Sequence, residues 1–159
     1  MLHLIVPPPL HRAALRLAYR VRNRFRRTFR PQLRGVCVIA TNPDGAALLV
    51  RHSYGSGEWC LPGGGCGARE DPAAAARREM HEELGIELAG LDLLFATGET
   101  LSGAPHTAFV FVAAVVGDIR PDGREIVEAG FFSHENLPRP LSDISAARLA
   151  AWQVSKLTG

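Results

Sequence analysis

Fifteen residues, Asp71 to Gly85, constrain this chain more than any other stretch. Asp71 suits a helix N-cap, Pro72 the first helical position and Gly85 the left-handed position just past the end, so a helix over 71–84 is fixed at both ends. Its two faces differ in kind. Ala73, Ala76, Met80 and Leu84 recur at three- and four-residue spacing and form a face suited to packing on a sheet. Glu79, Glu82 and Glu83 stand at i, i+3 and i+4, which at about 100° per residue gathers three carboxylates on one stripe about 100° wide. Like charges that close destabilise a helix. Arg78, four residues before Glu82, supplies a guanidinium that can hold a carboxylate and offset part of the repulsion. Clustered carboxylates make chemical sense as ligands of a hard cation such as Mg²⁺, which takes oxygen donors and exchanges its waters for substrate phosphates. Taken alone, a solvated acidic helix face is the better explanation of them, and the flanking residues change that balance.

The flanking chain sets this helix in a mixed α/β fold. Residues 35–41 are a continuous apolar run, Asn42-Pro43-Asp44-Gly45 is turn chemistry, and Ala46 to Val50 follows, which predicts a β-hairpin. Gly and Pro crowd positions 55 to 67 too densely for any element interior. Strands are expected at Leu91–Thr97, Thr107–Val116 and Ile126–Phe132, the first two joined by a loop holding Gly98, Ser102, Gly103 and Pro105. Ser142 is placed to cap a last amphipathic helix carrying Ile144, Leu149 and Trp152. Strands without regular βαβ spacing favour a mixed sheet with helices packed on it over a doubly wound fold.

The N-terminal stretch is of another character. After Pro7-Pro8-Pro9, expected to be stiff and extended, Leu10, Ala14, Leu17, Val21, Phe25 and Phe29 recur at helical spacing up to Pro31. Residues 1–43 hold nine Arg and no acid, so a chain of formal charge +2 hides +9 there and −7 elsewhere. The expected division is a basic amphipathic arm over 1–31 and a globular domain over 32–159. Three cysteines, Cys37, Cys60 and Cys66, show neither disulfide nor zinc spacing and suggest a reducing compartment. Apolar residues precede the arginines, the reverse of a secretory signal, and no apolar run is long enough to span a bilayer. A cytoplasmic protein, membrane-associated if the arm binds lipid, is the expectation.

Gly64, Glu70, Arg78, Glu79, Met80, Glu82, Glu83, Gly85 and Ile86 together reproduce the signature G-x5-E-x7-R-E-U-x-E-E-x-G-U, with U aliphatic, over 23 residues. Chance would produce such a match in this chain with a probability of roughly 10⁻⁸ at average residue usage. In this the chain resembles the Nudix hydrolases, and Leu61-Pro62-Gly63-Gly64-Gly65 before the box is also similar to the family. The resemblance implies an α/β/α sandwich around a mixed β-sheet, with the basic helix as an addition. It implies a Mg²⁺- or Mn²⁺-dependent hydrolase that cleaves the pyrophosphate bond of a nucleoside diphosphate linked to another moiety. Carried over by position, Glu79, Glu82 and Glu83 are metal ligands joined by the Gly63 carbonyl, and Arg78 orients Glu79. Glu79 or Glu83 takes the proton from the attacking water, with both open. Glu70 and Gly85 are structural.

Outside the box, Glu125 and Glu128 are candidates for the extra acid that relatives recruit from a later loop. Gly63, Gly64 and Gly65 allow close approach of backbone to phosphate, His106 is placed to meet a phosphate from the loop facing the box, and Trp59 and Tyr54 can stack on a base. The chain lacks the Ser-Gln-Pro-Trp run of NADH pyrophosphatases and any Tyr after Tyr54, where dinucleoside polyphosphate hydrolases have one; Pro105 falls near the ADP-ribose pyrophosphatase position. Nucleotide sugars, ADP-ribose and (d)NTPs remain open as substrates. The competing reading is a Nudix-fold binding or regulatory module that its arm directs to an anionic membrane surface or RNA, although no aromatic-basic RNA-binding signature accompanies the arm. A homodimer is left open.

Overall fold

The computed structural model describes residues 8–158. In chain order the elements are helix α1 (Pro8–Phe29), strands β1 (Leu33–Thr41), β2 (Ala47–His52), β3 (Trp59–Cys60) and β4 (Gly63–Gly65), helix α2 (Pro72–Leu84), strands β5 (Glu87–Leu101), β6 (Ala104–Val116) and β7 (Ile126–Phe132), and helix α3 (Asp143–Thr158). Pro8 and Pro9 belong to the first turn of α1 rather than to an extended lead, because proline's fixed φ suits a helix start; Pro7 lies outside the described residues.

The strands form one mixed sheet in the order β3-β2-β1-β6-β5, with β4 paired to β1 and β7 to β2. β1 runs parallel to β6 and antiparallel to its other partners. Helices cover both faces, which explains why β1 and β2 read as unbroken apolar runs instead of alternating ones. Val36, Val38, Ala40, Leu48 and Val50 point to the side of α2 and meet Ala75, Ala76, Met80 and Leu84. Cys37, Ile39, Ala47 and Leu49, the intervening residues, meet Leu149 and Trp152 of α3. All three cysteines are free thiols.

β5 and β6 are longer than the sequence suggests and meet at a two-residue turn, Ser102-Gly103, both with positive φ. The expected loop of Gly98 to Pro105 is therefore mostly strand. Pro105 is tolerated because β1 begins beside β6 only at the next residue, with Leu33 opposite His106, so the missing N–H costs no ladder bond on that side.

The ends of α2 match its sequence. Asp71 accepts a hydrogen bond from the Ala74 amide at 3.1 Å, and Gly85 at φ 65° closes the C-terminus onto the His81 carbonyl at 3.0 Å. The Leu84 and Glu83 carbonyls accept from the amides of Arg120 and Asp122, fixing the loop before β7 against the end of α2.

Helix α1 lies on the domain through its polar side. Arg12 donates to the Gly123 carbonyl at 2.8 Å, Arg16 to Ser53 at 3.0 Å and Arg30 to Gly103 at 2.9 Å. The Ser102 hydroxyl donates to Asn23, and the Tyr19 ring rests on Tyr54 with centroids 5.3 Å apart. The helix thus spans from the loop before β7 to the tip of the β5–β6 hairpin.

Candidate active site

The acidic stripe of α2 faces β4, which is held against β1 by pairing Gly65 with Gly35, Gly64 with Val36 and Gly63 with Cys37. The glycines are required by contact. A Cβ on Gly63 would fall on the Val36 carbonyl, and one on Gly64 would fall on the Glu79 carboxylate. Backbone and carboxylate therefore approach as closely as atoms allow.

Arg78 ties loop to helix. Its Nε donates to Glu70 at 2.9 Å, Nη2 to the Gly65 carbonyl at 3.0 Å and Nη1 to Glu79 at 2.8 Å, while Glu82 stands 3.6 Å from Nη1. Glu70 also accepts from the Gly67 amide at 2.9 Å, and these bonds from Arg78 and Gly67 hold its carboxyl below the usual range. For Glu79, burial outweighs Arg78 and raises the pKa. Glu82 is largely exposed, with 60% of its side chain open.

Glu83 is the outlier. It is 7% exposed and its Oε2 has no hydrogen-bond partner. Burial first, then the charges of Glu79, Glu125, Asp122 and Glu82, push its carboxyl up to about 8. Glu125 reaches this site from the loop that α2 anchors and accepts from the Tyr54 hydroxyl at 3.3 Å. Burial and Glu125 raise the Tyr54 pKa. Asp122 folds that loop by accepting from the amides of Arg124, Glu125 and Ile126.

These groups open on a cleft of about 610 Å³, within the range of small-molecule sites. Gly63, Gly64, Gly65, Glu79, Glu82, Glu83, Glu125 and His106 all line it. His106 sits in β6 instead of a loop, with 10% of its side chain exposed, and contacts Glu99 at 3.0 Å, which Arg148 of α3 holds at 2.9 Å. Trp59 and Glu128 lie elsewhere. Trp59 packs edge-on against Phe132 in the α3-side core, and Glu128 pairs with Arg51 at 2.7 Å across β2 and β7. Among the described residues no three acidic, His or Cys side chains close on one point as a preformed ion cage. The donor chemistry nevertheless fits a hard cation, since an unpartnered buried carboxylate oxygen is costly to leave without one.

Sequence reasoning missed the other side of the cleft, lined by Tyr19, Arg22 and Arg26 of α1, together with His52 and Asp122. Burial lowers the His52 pKa, and its Nδ1 has no partner. The signal for Tyr19, Arg22 and Arg26 was present as a three- and four-residue spacing along α1 opposite its apolar stripe.

A three-layer α/β/α sandwich with an acidic cleft, built by a glycine strand, a loop and a doubly capped helix at one end of its sheet, is the class that fold and site define. The NUDIX domain model matches residues 31–153, and the chain belongs to that family. Its fold superposes on the MutT NUDIX hydrolase of Burkholderia pseudomallei with a TM-score of 0.68 at 30% identity, covering 78% of this chain and 98% of that one. An RNA pyrophosphohydrolase of Cellvibrio japonicus is 39% identical over 43% of this chain and 39% of its own length. A human diphosphoinositol polyphosphate phosphohydrolase is 31% identical over 66% of this chain and 56% of its own. The matched segments thus span less than two thirds of these curated relatives.

Proposed function

We propose that the protein is a divalent-metal-dependent pyrophosphohydrolase acting on a nucleoside diphosphate linked to another moiety, in the class of nucleotide sugars, ADP-ribose and (d)NTPs. The buried, unpartnered carboxylate of Glu83 carries this reading, because a carboxylate buried beside other acids is costly unless a cation meets it. Glu79, Glu82 and Glu83, with the Gly63 carbonyl, would hold Mg²⁺ or Mn²⁺. A cation there neutralises phosphate oxygens and makes the attacking water more acidic. Arg78 fixes Glu79 while leaving the helix stripe open to the cleft. Glu79 or Glu83 accepts the proton of the attacking water, and Glu125, 3.3 Å from the Tyr54 hydroxyl, supplies further negative charge. Gly63 to Gly65 let phosphate approach the backbone, and His106, braced by Glu99, contributes from the floor. The names of the two curated relatives, an RNA pyrophosphohydrolase and a diphosphoinositol polyphosphate phosphohydrolase, support phosphoanhydride chemistry. Free thiols suit a cytoplasmic location.

The test is phosphate or pyrophosphate release from a panel of nucleotide diphosphate derivatives, with and without Mg²⁺. We expect metal-dependent turnover of at least one substrate and a loss of about 10²–10⁴ in kcat for Glu83→Gln. Absence of turnover across the panel, or an unaffected variant, overturns the assignment.

A second reading concerns the outer side of α1. Leu10, Leu17, Val21, Phe25 and Phe29 are 50–69% exposed, so this amphipathic helix turns its apolar stripe away from the domain. Exposed Arg20 and Arg24 flank the stripe, a combination suited to an anionic membrane surface. Co-sedimentation with phosphatidylserine vesicles should be lost with Leu17→Gln/Phe25→Gln and be absent with phosphatidylcholine alone. A concentration-dependent dimer abolished by the same variant would instead assign the stripe to a second copy of the chain.

A further inference from the structure

The arginines of α1 and its end differ in what they face. Arg12 and Arg16 of α1, and Arg30 just past its end, each donate to a backbone carbonyl of the domain and anchor the helix. Arg22 and Arg26, one turn apart on the side facing the cleft, line it opposite the carboxylates. Among the described residues neither donates a hydrogen bond to a protein acceptor, and no arginine of α1 pairs with Glu79, Glu82, Glu83 or Glu125. Arg26 is half-buried, and both burial and the neighbouring Arg22 lower its pKa. Two guanidiniums, that of Arg22 lying over the Tyr19 ring, and a carboxylate cluster therefore line one cleft without an ion pair between them.

We propose that Arg22 and Arg26 form a phosphate clamp on the far side of the cleft, binding phosphoryl oxygens beyond the pair that the carboxylate side handles. The ligand class this selects is a polyphosphate chain of three or more phosphoryl groups in place of a bare diphosphate bridge. The inference rests on the pyrophosphohydrolase reading and deepens it. The charge sequence supports it. A diphosphate held by cations on the acidic wall leaves little net negative charge for the arginines, whereas a further phosphoryl group brings oxygens that Arg22 and Arg26 can meet; Arg34 and Arg148 also line the cleft but are engaged, by the Gly67, Ala68 and Glu70 carbonyls and by Glu99. Guanidinium geometry favours such planar, two-oxygen contacts. The pair is supplied in cis by a helix pinned at Gly123, Ser53 and Gly103, so the clamp is preorganised.

The test uses the full chain with Mg²⁺ and two non-hydrolysable probes, the methylene-bridged analogues of inorganic pyrophosphate and tripolyphosphate, with binding read by calorimetry. Wild type should prefer the tripolyphosphate analogue at least tenfold. Arg22→Gln/Arg26→Gln should erase that preference while changing affinity for the pyrophosphate analogue less than threefold. Arg20→Gln/Arg24→Gln, which removes the same charge from the same helix on its solvent side, should leave the preference intact. Equal affinity of wild type for the two probes, or equal losses in the two variants, overturns the clamp. Because binding is read without turnover, a protein that discriminates the probes but cleaves nothing in the substrate panel would refute the hydrolase assignment and leave the clamp standing.

Discussion

At the scale of single residues, Glu83 shows a conflict between stability and chemistry. Its carboxylate is buried beside other acids with one oxygen unsatisfied, so the ionised form opposes folding whenever no cation is bound. With its pKa pushed from the ordinary 4.5 to about 8, the folded chain keeps a proton that the unfolded chain has lost. Stability contributed by this group is therefore intact below about 4.5 and declines as pH rises towards about 8. In chelator, Glu83→Gln should melt above wild type at pH 8.5, by about 1–3 kcal/mol of stability. That gap should shrink at pH 4.5, and thermal melts at the two pH values check it; a constant gap would count against it. The box glutamates were legible in the sequence because helical spacing alone puts them on one stripe. Choosing between Glu125 and Glu128 was not, because it depends on strand register: Glu128 lies opposite Arg51 in the β2–β7 ladder and pairs with it, while Glu125 precedes the strand and reaches the cleft.

At the scale of elements, α2 is the best-read part of the chain, since Asp71, Pro72 and Gly85 act through local rules that tertiary context does not override. Its link to the glycine loop is a tertiary fact. One guanidinium joins Gly65, Glu70 and Glu79, using the planar fork to hold strand end, loop and helix in one register. Arg78→Lys keeps the charge but offers a single point donor, so it cannot span these acceptors. We expect kcat to fall about 10–100-fold, the usual cost of losing a group that orients a ligand, with stability changed by about 1 kcal/mol or less. A steady-state comparison with wild type, with Mg²⁺ titrated in each, checks this, and activity equal to wild type would remove Arg78 from the positioning role. The β5–β6 hairpin was read too short because its glycines and proline resemble loop chemistry, yet they fall where an edge strand and an uncovered strand start tolerate them. For α1 the general rule that an amphipathic helix buries its apolar face gives the wrong orientation: the anchoring contacts are arginine to carbonyl, and the leucines and phenylalanines face out.

For the molecule as a whole, the charge separation visible in the sequence becomes a field across one cleft. Of the nine arginines in the first 43 residues, Arg22, Arg26 and Arg34 line the cleft, and so do the α2 carboxylates of Glu79, Glu82 and Glu83. If the cleft takes a polyanion, as proposed, the arginine side would draw it at long range and the acidic side would repel it until cations are bound. Screening separates the two effects. The Debye length shrinks from about 30 Å at 0.01 M to about 8 Å at 0.15 M salt, so long-range attraction weakens while contacts inside the cleft persist. Raising salt over that range at saturating Mg²⁺ should therefore lower kcat/KM severalfold and leave kcat nearly unchanged. In Arg22→Gln/Arg26→Gln the same salt step should change kcat/KM much less, because the cleft-lining positive charges being screened are gone. In Arg20→Gln/Arg24→Gln the salt dependence should stay closer to wild type, since those side chains face away from the cleft. Identical salt slopes in all three proteins would mean that α1 acts on the cleft only as a shape, and that its charge serves the surface it turns outward.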